Sequence, residues 1–591
     1  MTEITAQSRA RAVKAAQGLE PFDLLLTNAT LVDVATAELR AADVGIIDNM
    51  IASVHPQGTR QDAKEVVDLT GRFLAPGLID MHVHFESSHM TPANYASVIV
   101  PQGTTTIMCD PHELANVFGM DGVRYGIEAS KGLPLRILFT APSSIPSTEG
   151  LETSGAYFSG KEMEEMLSWP EVVGVAEVMD MKGVLAGSKR MTEIVAAGIK
   201  ANKLVEGHAR GLKGPELQAY LAAGVTSDHE LTSAEDFLEK LRSGLSIEIR
   251  GSHDYLLPDI VKALNELPFA SSQISICTDD VFPDDLVSKG GICDVLRRLI
   301  QYGLDPVTAI RFATLNASYR LRRTDIGLIS AGRIADIVVL SDLQTMKINT
   351  VYASGKIVPK GVKIASPPVS NMEAISHSMK VRPLTLEDFE VRVPNVADGI
   401  HRLRAIHGAR FTEWHEADLE VKNGFAVLPD AYNRLFIMNR HGKPDAQPQC
   451  ALLGDWGTMT GALATSYSHD SHNLVVLGKD PKEMLLAANS LIEMGGGVCV
   501  VKNGRVIASI ALPIAGMISE EDPEIIRQNY NTVKAATDTI MEWKPPYRVF
   551  KAIEGISLAC NAGPHLTDLG LTDGGTKEIL PILASQPAIP V

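Results

Sequence analysis

The chain has 591 residues, 45% of them hydrophobic and 21% charged, with a formal net charge of −17. That length accommodates about two to four domains, and the composition is that of a folded globular protein. The acidic balance excludes a nucleic-acid-coating surface, which needs clustered Lys and Arg.

Cys109, Cys277, Cys293, Cys450, Cys499 and Cys560 are dispersed, form no Cys-x-x-Cys pair, and read as small buried side chains in a reducing compartment. Residues 1–20 lack an apolar core followed by a cleavage site, and no apolar run reaches the ~18 residues that would span a bilayer. The expectation is a cytoplasmic protein with no membrane partner.

In chain order, residues 1–20 predict a short alanine-rich helix, and residues 23–74 a series of alternating strands, as at 24–33 and 43–48. From Pro76 to about Ala317, short apolar segments at 106–110, 135–139, 172–177, 204–208 and 274–279 alternate with helical patterns. A span of that size suits a (β/α)8 TIM-type barrel, typically ~250 residues. Strands return at 327–340 and 347–358 and complete the first β domain, so the barrel is read as an insertion in a small β-sandwich. The expected organisation is α/β: 1–75 as helix and first part of the β domain, 76–320 as barrel, 321–364 as second part, and 365–591 as a C-terminal α+β domain. That last region opens on a Pro- and Ser-containing linker at 365–370, and carries a strand at 424–428 and a helix at 481–494.

The chemistry begins at Pro76-Gly77-Leu78-Ile79-Asp80-Met81-His82-Val83-His84. In an extended strand alternate side chains point the same way, so His82 and His84 can reach one cation together. Further candidate ligands fall at the ends of later barrel segments: Glu177, His208, His229 and Asp279. TIM-type barrels place their chemistry at the C-terminal ends of strands. Four histidines and two carboxylates suffice for two cations, with Glu177 placed to bridge them.

The segment 76–84, the later ligands and Thr278-Asp279 resemble the amidohydrolase superfamily over residues 20–360. More specifically, the chain is similar to the bacterial adenine deaminases. That resemblance rests on residues 80–90, Cys109-Asp110-Pro111-His112-Glu113, Gly207-His208-Ala209-Arg210-Gly211, Cys277-Thr278-Asp279-Asp280, His469-Asp470-Ser471-His472-Asn473 and Met494-Gly495-Gly496-Gly497. It implies two divalent metal ions, manganese or iron, with zinc also used. His82, His84 and Asp279 would hold one, and His208 and His229 the other, with Glu177 bridging. Many relatives bridge with a carboxylated lysine instead; Lys182 is near, but Glu177 lies closer to the strand end.

The implied reaction is hydrolytic deamination of adenine to hypoxanthine and ammonia in purine salvage, by a metal-bridging hydroxide attacking C6. Asp279 would carry the proton to the leaving amine, with His229 or Glu113 as further catalytic groups. The single-zinc His-x-Glu and Pro-Cys-x-x-Cys frame of other nucleobase deaminases is absent. Glu86, Ser88 and Asp110 are expected to contact the purine, in a polar cluster with His89, His112 and Glu113 that serves purine recognition, a proton relay or an accessory metal, or else loop capping and hydrogen bonds. The loop 469–473 either closes over the site or turns the chain, and Gly495-Gly496-Gly497 reads as a tight turn rather than a phosphate loop. Two alternatives stay open: an amidohydrolase acting on an N6-substituted adenine or a cyclic amide, and a degenerate barrel that only binds a purine. The expected partner is a small-molecule purine, in a homodimer or higher homo-oligomer.

Overall fold

Pro76 closes a four-residue strand, Phe73–Pro76, and Leu78 opens the next, so a single residue separates the β domain from the barrel. The computed structural model describes residues 4–370, 372–408, 412–541, 552–553 and 555–588. Contacts divide the chain into two units, one of residues 1–110, 126–141 and 163–368, the other of residues 111–125, 142–162 and 369–591.

In the first unit, helix Ala6–Ala16 is capped by Thr5, whose hydroxyl accepts from Ser8 N at 3.0 Å, and it buries Ala12 and Ala15 beside Phe22. One eight-stranded sheet then combines strands from before and after the barrel. Strand Ile337–Asp342 runs antiparallel to Phe73–Pro76, pairing Ile337 with Pro76, which brings the chain's exit from the barrel beside its entry. Leu26, Leu31, Val44, Leu74 and Ile337 form the shared core. The buried Arg136–Asp336 ion pair, 2.8 Å, links a barrel strand to this domain.

Eight parallel strands follow in register: β1 Leu78–His84, β2 Thr104–Cys109, β3 Arg136–Ala141, β4 Val172–Val178, β5 Leu204–Gly207, β6 Ser227–Asp228, β7 Ser246–Arg250 and β8 Ile274–Cys277. Strands β1 to β3 are buried at every position, as strands covered on both faces must be. Thr226 N donates to Val205 O at 3.0 Å and joins β5 to β6, while Asp279 pairs with Val83 and closes the ring from β8 to β1. Helix Lys189–Lys200 lies so close on β4 and β5 that a Cβ at Gly198 would sit 2.8 Å from Val175 and Val205 methyls.

The second unit carries a nine-stranded sheet covered by helix Pro481–Glu493, with Phe436, Ala464, Val476, Leu491 and Cys499 in its core. Gly495, Gly496 and Gly497 all take positive φ, and a Cβ at Gly497 would meet Ile510 O at 1.9 Å, so the triplet is the tight turn its sequence suggests. The segments 111–125 and 142–162, which follow β2 and β3 in the chain, belong to this unit. All six cysteines are free thiols, and among the described residues no helix is long and apolar enough to cross a membrane.

Candidate metal centre

Each residue proposed from sequence as a barrel ligand stands at, or just beyond, the C-terminal end of its strand. His82 and His84 end β1, Glu177 is the penultimate residue of β4, His208 follows β5, His229 follows β6, and Asp279 lies two residues past β8. All six are buried. The strand's two-residue period brings His82 Nε2 and His84 Nε2 to 3.0 Å. Two nitrogens each ~2.1 Å from one cation, at an angle between 90° and tetrahedral, lie about 3.0–3.4 Å apart.

Glu177 presents its two oxygens to two different pairs. Oε1 lies 3.7 Å from His82 Nε2 and 3.5 Å from His84 Nε2, whereas Oε2 lies 2.6 Å from His208 Nδ1 and 3.3 Å from His229 Nε2. Asp279 repeats the arrangement, with Oδ1 at 3.8 Å from His84 Nε2 and Oδ2 at 3.5 Å from His229 Nε2. Burial alone would keep the His229 ring neutral, but Glu177 and Asp279 push it up to about 10. Two buried carboxylates that attract positive charge into a ring of imidazoles fit a divalent-cation site, by donor type and by spacing. Lys182, the rival bridge, is exposed on helix Met181–Leu185.

The loops that carry the ligands are pinned from behind. His84 Nδ1 contacts the Asp110 carbonyl at 2.9 Å, which leaves Nε2 to face the centre. Asp80 accepts from Thr278 N at 3.0 Å and from Thr278 Oγ1 at 2.5 Å, and burial pushes its carboxyl up to about 7. Asp228 accepts from Ala209 N at 2.6 Å and pairs with buried Lys240 at 2.8 Å, tying the residue after His208 to the residue before His229.

Arg250, at the end of β7, is a site residue that sequence reading missed. Its Nη1 lies 2.7 Å from Asp279 Oδ2 and also contacts Glu230, which Arg210 engages as well. Burial opposes ionisation of Asp279, but Arg250 and the neighbouring rings hold it well below the usual carboxylate range. Asp279 itself has φ of +62°, a left-handed conformation tolerated by Asp and suited to aiming a side chain. The available signal was position: Arg250 ends a strand, as the predicted ligands do.

The other predicted residues divide. Asp110 offers an oxygen within 4.8 Å of ligand atoms of His84 and Glu177. Glu86 is fully buried in the turn Phe85–Ser88 that follows β1, and Ser88 donates its hydroxyl to Phe85 O at 2.6 Å, so that group serves the turn. Glu113 belongs to the second unit, where His469 Nδ1 lies 3.1 Å and His112 Nε2 3.6 Å from its Oε1, and His472 Nε2 contacts Oε2.

A barrel with imidazoles and carboxylates at its strand ends defines a metal-dependent hydrolase class, and residues 73–358 match the amidohydrolase family. Residues 409–578 match the adenine deaminase C-terminal domain. An adenine deaminase of Klebsiella pneumoniae is 57% identical over 584 residues, covering 98% of this chain and 97% of that one. Adenine deaminase 2 of Rhizobium meliloti is 50% identical over 573 residues, covering 97% and 96%, and an adenine deaminase of Desulfatibacillum aliphaticivorans is 37% identical over 575 residues, covering 96% and 97%. The chain belongs to the adenine deaminase family.

Proposed function

We propose that the protein hydrolyses adenine to hypoxanthine and ammonia, with two divalent cations held by His82, His84, His208, His229 and Asp279 and bridged by Glu177. The observation that carries the two-cation reading is the division of Glu177, one oxygen toward each histidine pair. The mixed imidazole and carboxylate donors suit manganese, iron or zinc. When bound, such ions supply Lewis acidity that lowers the pKa of water toward neutrality.

The chain's own residues handle protons and position. Asp279 takes a proton from the attacking water as oxygen bonds to C6 and the C6=N1 electron pair moves onto N1, and passes it to the departing amine; the C6–N6 bond breaks, ammonia leaves, and the remaining hydroxyl proton moves to N1 to give hypoxanthine. Arg250 keeps Asp279 ionised and aimed, a positioning role through its 2.7 Å contact. Fixed ligands on rigid strand ends hold this geometry before substrate arrives.

The test is a substrate panel on chelator-stripped protein reloaded with Mn2+, Fe2+ or Zn2+, following ammonia release and purine absorbance. Turnover of adenine is expected in the loaded protein. Failure to turn over adenine with all three ions overturns the reading.

A further inference from the structure

Helix His112–Phe118 and the loop at residues 467–473 bring together, inside the second unit, a cluster of imidazoles around one carboxylate. Glu113 is fully buried, and its Oε1 faces His469 Nδ1 at 3.1 Å and His112 Nε2 at 3.6 Å. The first spacing falls within the ~3.0–3.4 Å expected between donors that share one cation at ~2.1 Å, the second lies just above it, and the three ligand atoms all lie within 4.8 Å of one another. Tyr467 adds a hydroxyl 3.4 Å from the same oxygen. Among the described residues no Lys or Arg pairs with Glu113, and a buried carboxylate without a cationic partner is costly.

The second oxygen of Glu113 is held separately. Ser468 N donates to His472 Nδ1 at 3.2 Å, so the neutral ring carries its proton on Nε2, the atom in contact with Glu113 Oε2. Buried Arg440 in turn donates to the His472 carbonyl, and reaches Ala515 O at 2.9 Å and Ser466 O at 3.3 Å. A carboxylate oriented by an imidazole that is itself fixed by the backbone is the support metal-ligating carboxylates receive.

We propose that His112 Nε2, Glu113 Oε1 and His469 Nδ1 bind a divalent transition-metal cation beyond the two assigned to the barrel, with His472 orienting Glu113. Three protein ligands leave one position open to water or to an anionic or nitrogenous group. This selects a ligand's role for Glu113 from the readings its sequence leaves open.

The experiment is metal counting on the full chain. Protein stripped with chelator is reloaded with Zn2+ or Mn2+ alone, gel-filtered, and measured by elemental mass spectrometry. Wild type is expected to retain three equivalents, His469→Gln and Glu113→Gln two, and the His82→Asn, His84→Asn double variant to keep the equivalent that His469→Gln loses. His472→Asn is expected to weaken that one equivalent about 10–100-fold while leaving its ligands in place. Anomalous scattering at the metal edge then places the ion among the three ligands.

If wild type stops at two equivalents, or if His469→Gln and Glu113→Gln, folded by circular dichroism, keep the wild-type count, the cluster is an ion-paired network and the proposal fails. Failure of the barrel reading looks different: there the His82, His84 variant keeps the full count.

Discussion

Arg250 Nη1 lies 2.7 Å from Asp279 Oδ2, so the carboxylate proposed to move the proton is gripped by a guanidinium from the adjacent strand. Asp279 Oδ1 meanwhile faces His84 at 3.8 Å, and the carboxylate is thus fixed from two sides. Arg250→Gln removes the charge and keeps much of the length. Because Arg250 acts through Asp279, kcat should fall about 10–100-fold with KM changed far less and metal content retained. Steady-state kinetics with metal analysis check this, and loss of bound metal in step with kcat would assign Arg250 to metal retention instead.

Thr278 joins the centre to Asp80 by two hydrogen bonds, one from its backbone and one from its hydroxyl. Thr278→Val keeps shape and β-branching but leaves one oxygen of a buried carboxyl without its donor. The cost should be about 1–3 kcal/mol, read as a lower denaturant midpoint, and Thr278→Ser should recover most of it.

Glu152 carries a pH dependence. It is buried, accepts from Thr148 N at 3.1 Å, and contacts the hydroxyls of Ser147 and Ser471. Burial, with Asp470 adding repulsion, pushes its carboxyl up to about 7 from an ordinary 4.5. The folded chain therefore holds more protons than the unfolded one between about pH 4.5 and 7, and stability falls as pH rises through that window. The loss is at most about 3 kcal/mol for one such group. Glu152→Gln cannot ionise, so denaturant midpoints at pH 5 and pH 8 should differ less in the variant than in wild type.

Much of the barrel centre is legible in the sequence because strand periodicity and strand ends are local properties. His82 and His84 declare themselves by a spacing of two, and Glu177, His208, His229 and Asp279 by closing apolar segments. Arg250 is harder to see: Ser246–Arg250 alternates polar and apolar residues as a strand does, but a guanidinium at a strand end carries no metal-ligand signature. The membership of 111–125 and 142–162 in the second unit is invisible to periodicity, because it depends on contacts such as Glu152 with Ser471 across 319 residues. The polar stretch from His469 to Asn473 reads as a lid over the site or a turn; that Ser471, His472 and Asn473 are buried, with partners such as His441 and Thr153 far away in the chain, is not visible in its polarity.

The most direct measurement is Glu177→Gln, with barrel metal content and adenine turnover read on one preparation. Glu177 divides its oxygens between the histidine pairs at shorter distances than Asp279 does, so neutralising it should weaken cation retention in the barrel and lower turnover by at least about 100-fold. A folded variant with wild-type metal content and wild-type turnover of adenine would contradict the account.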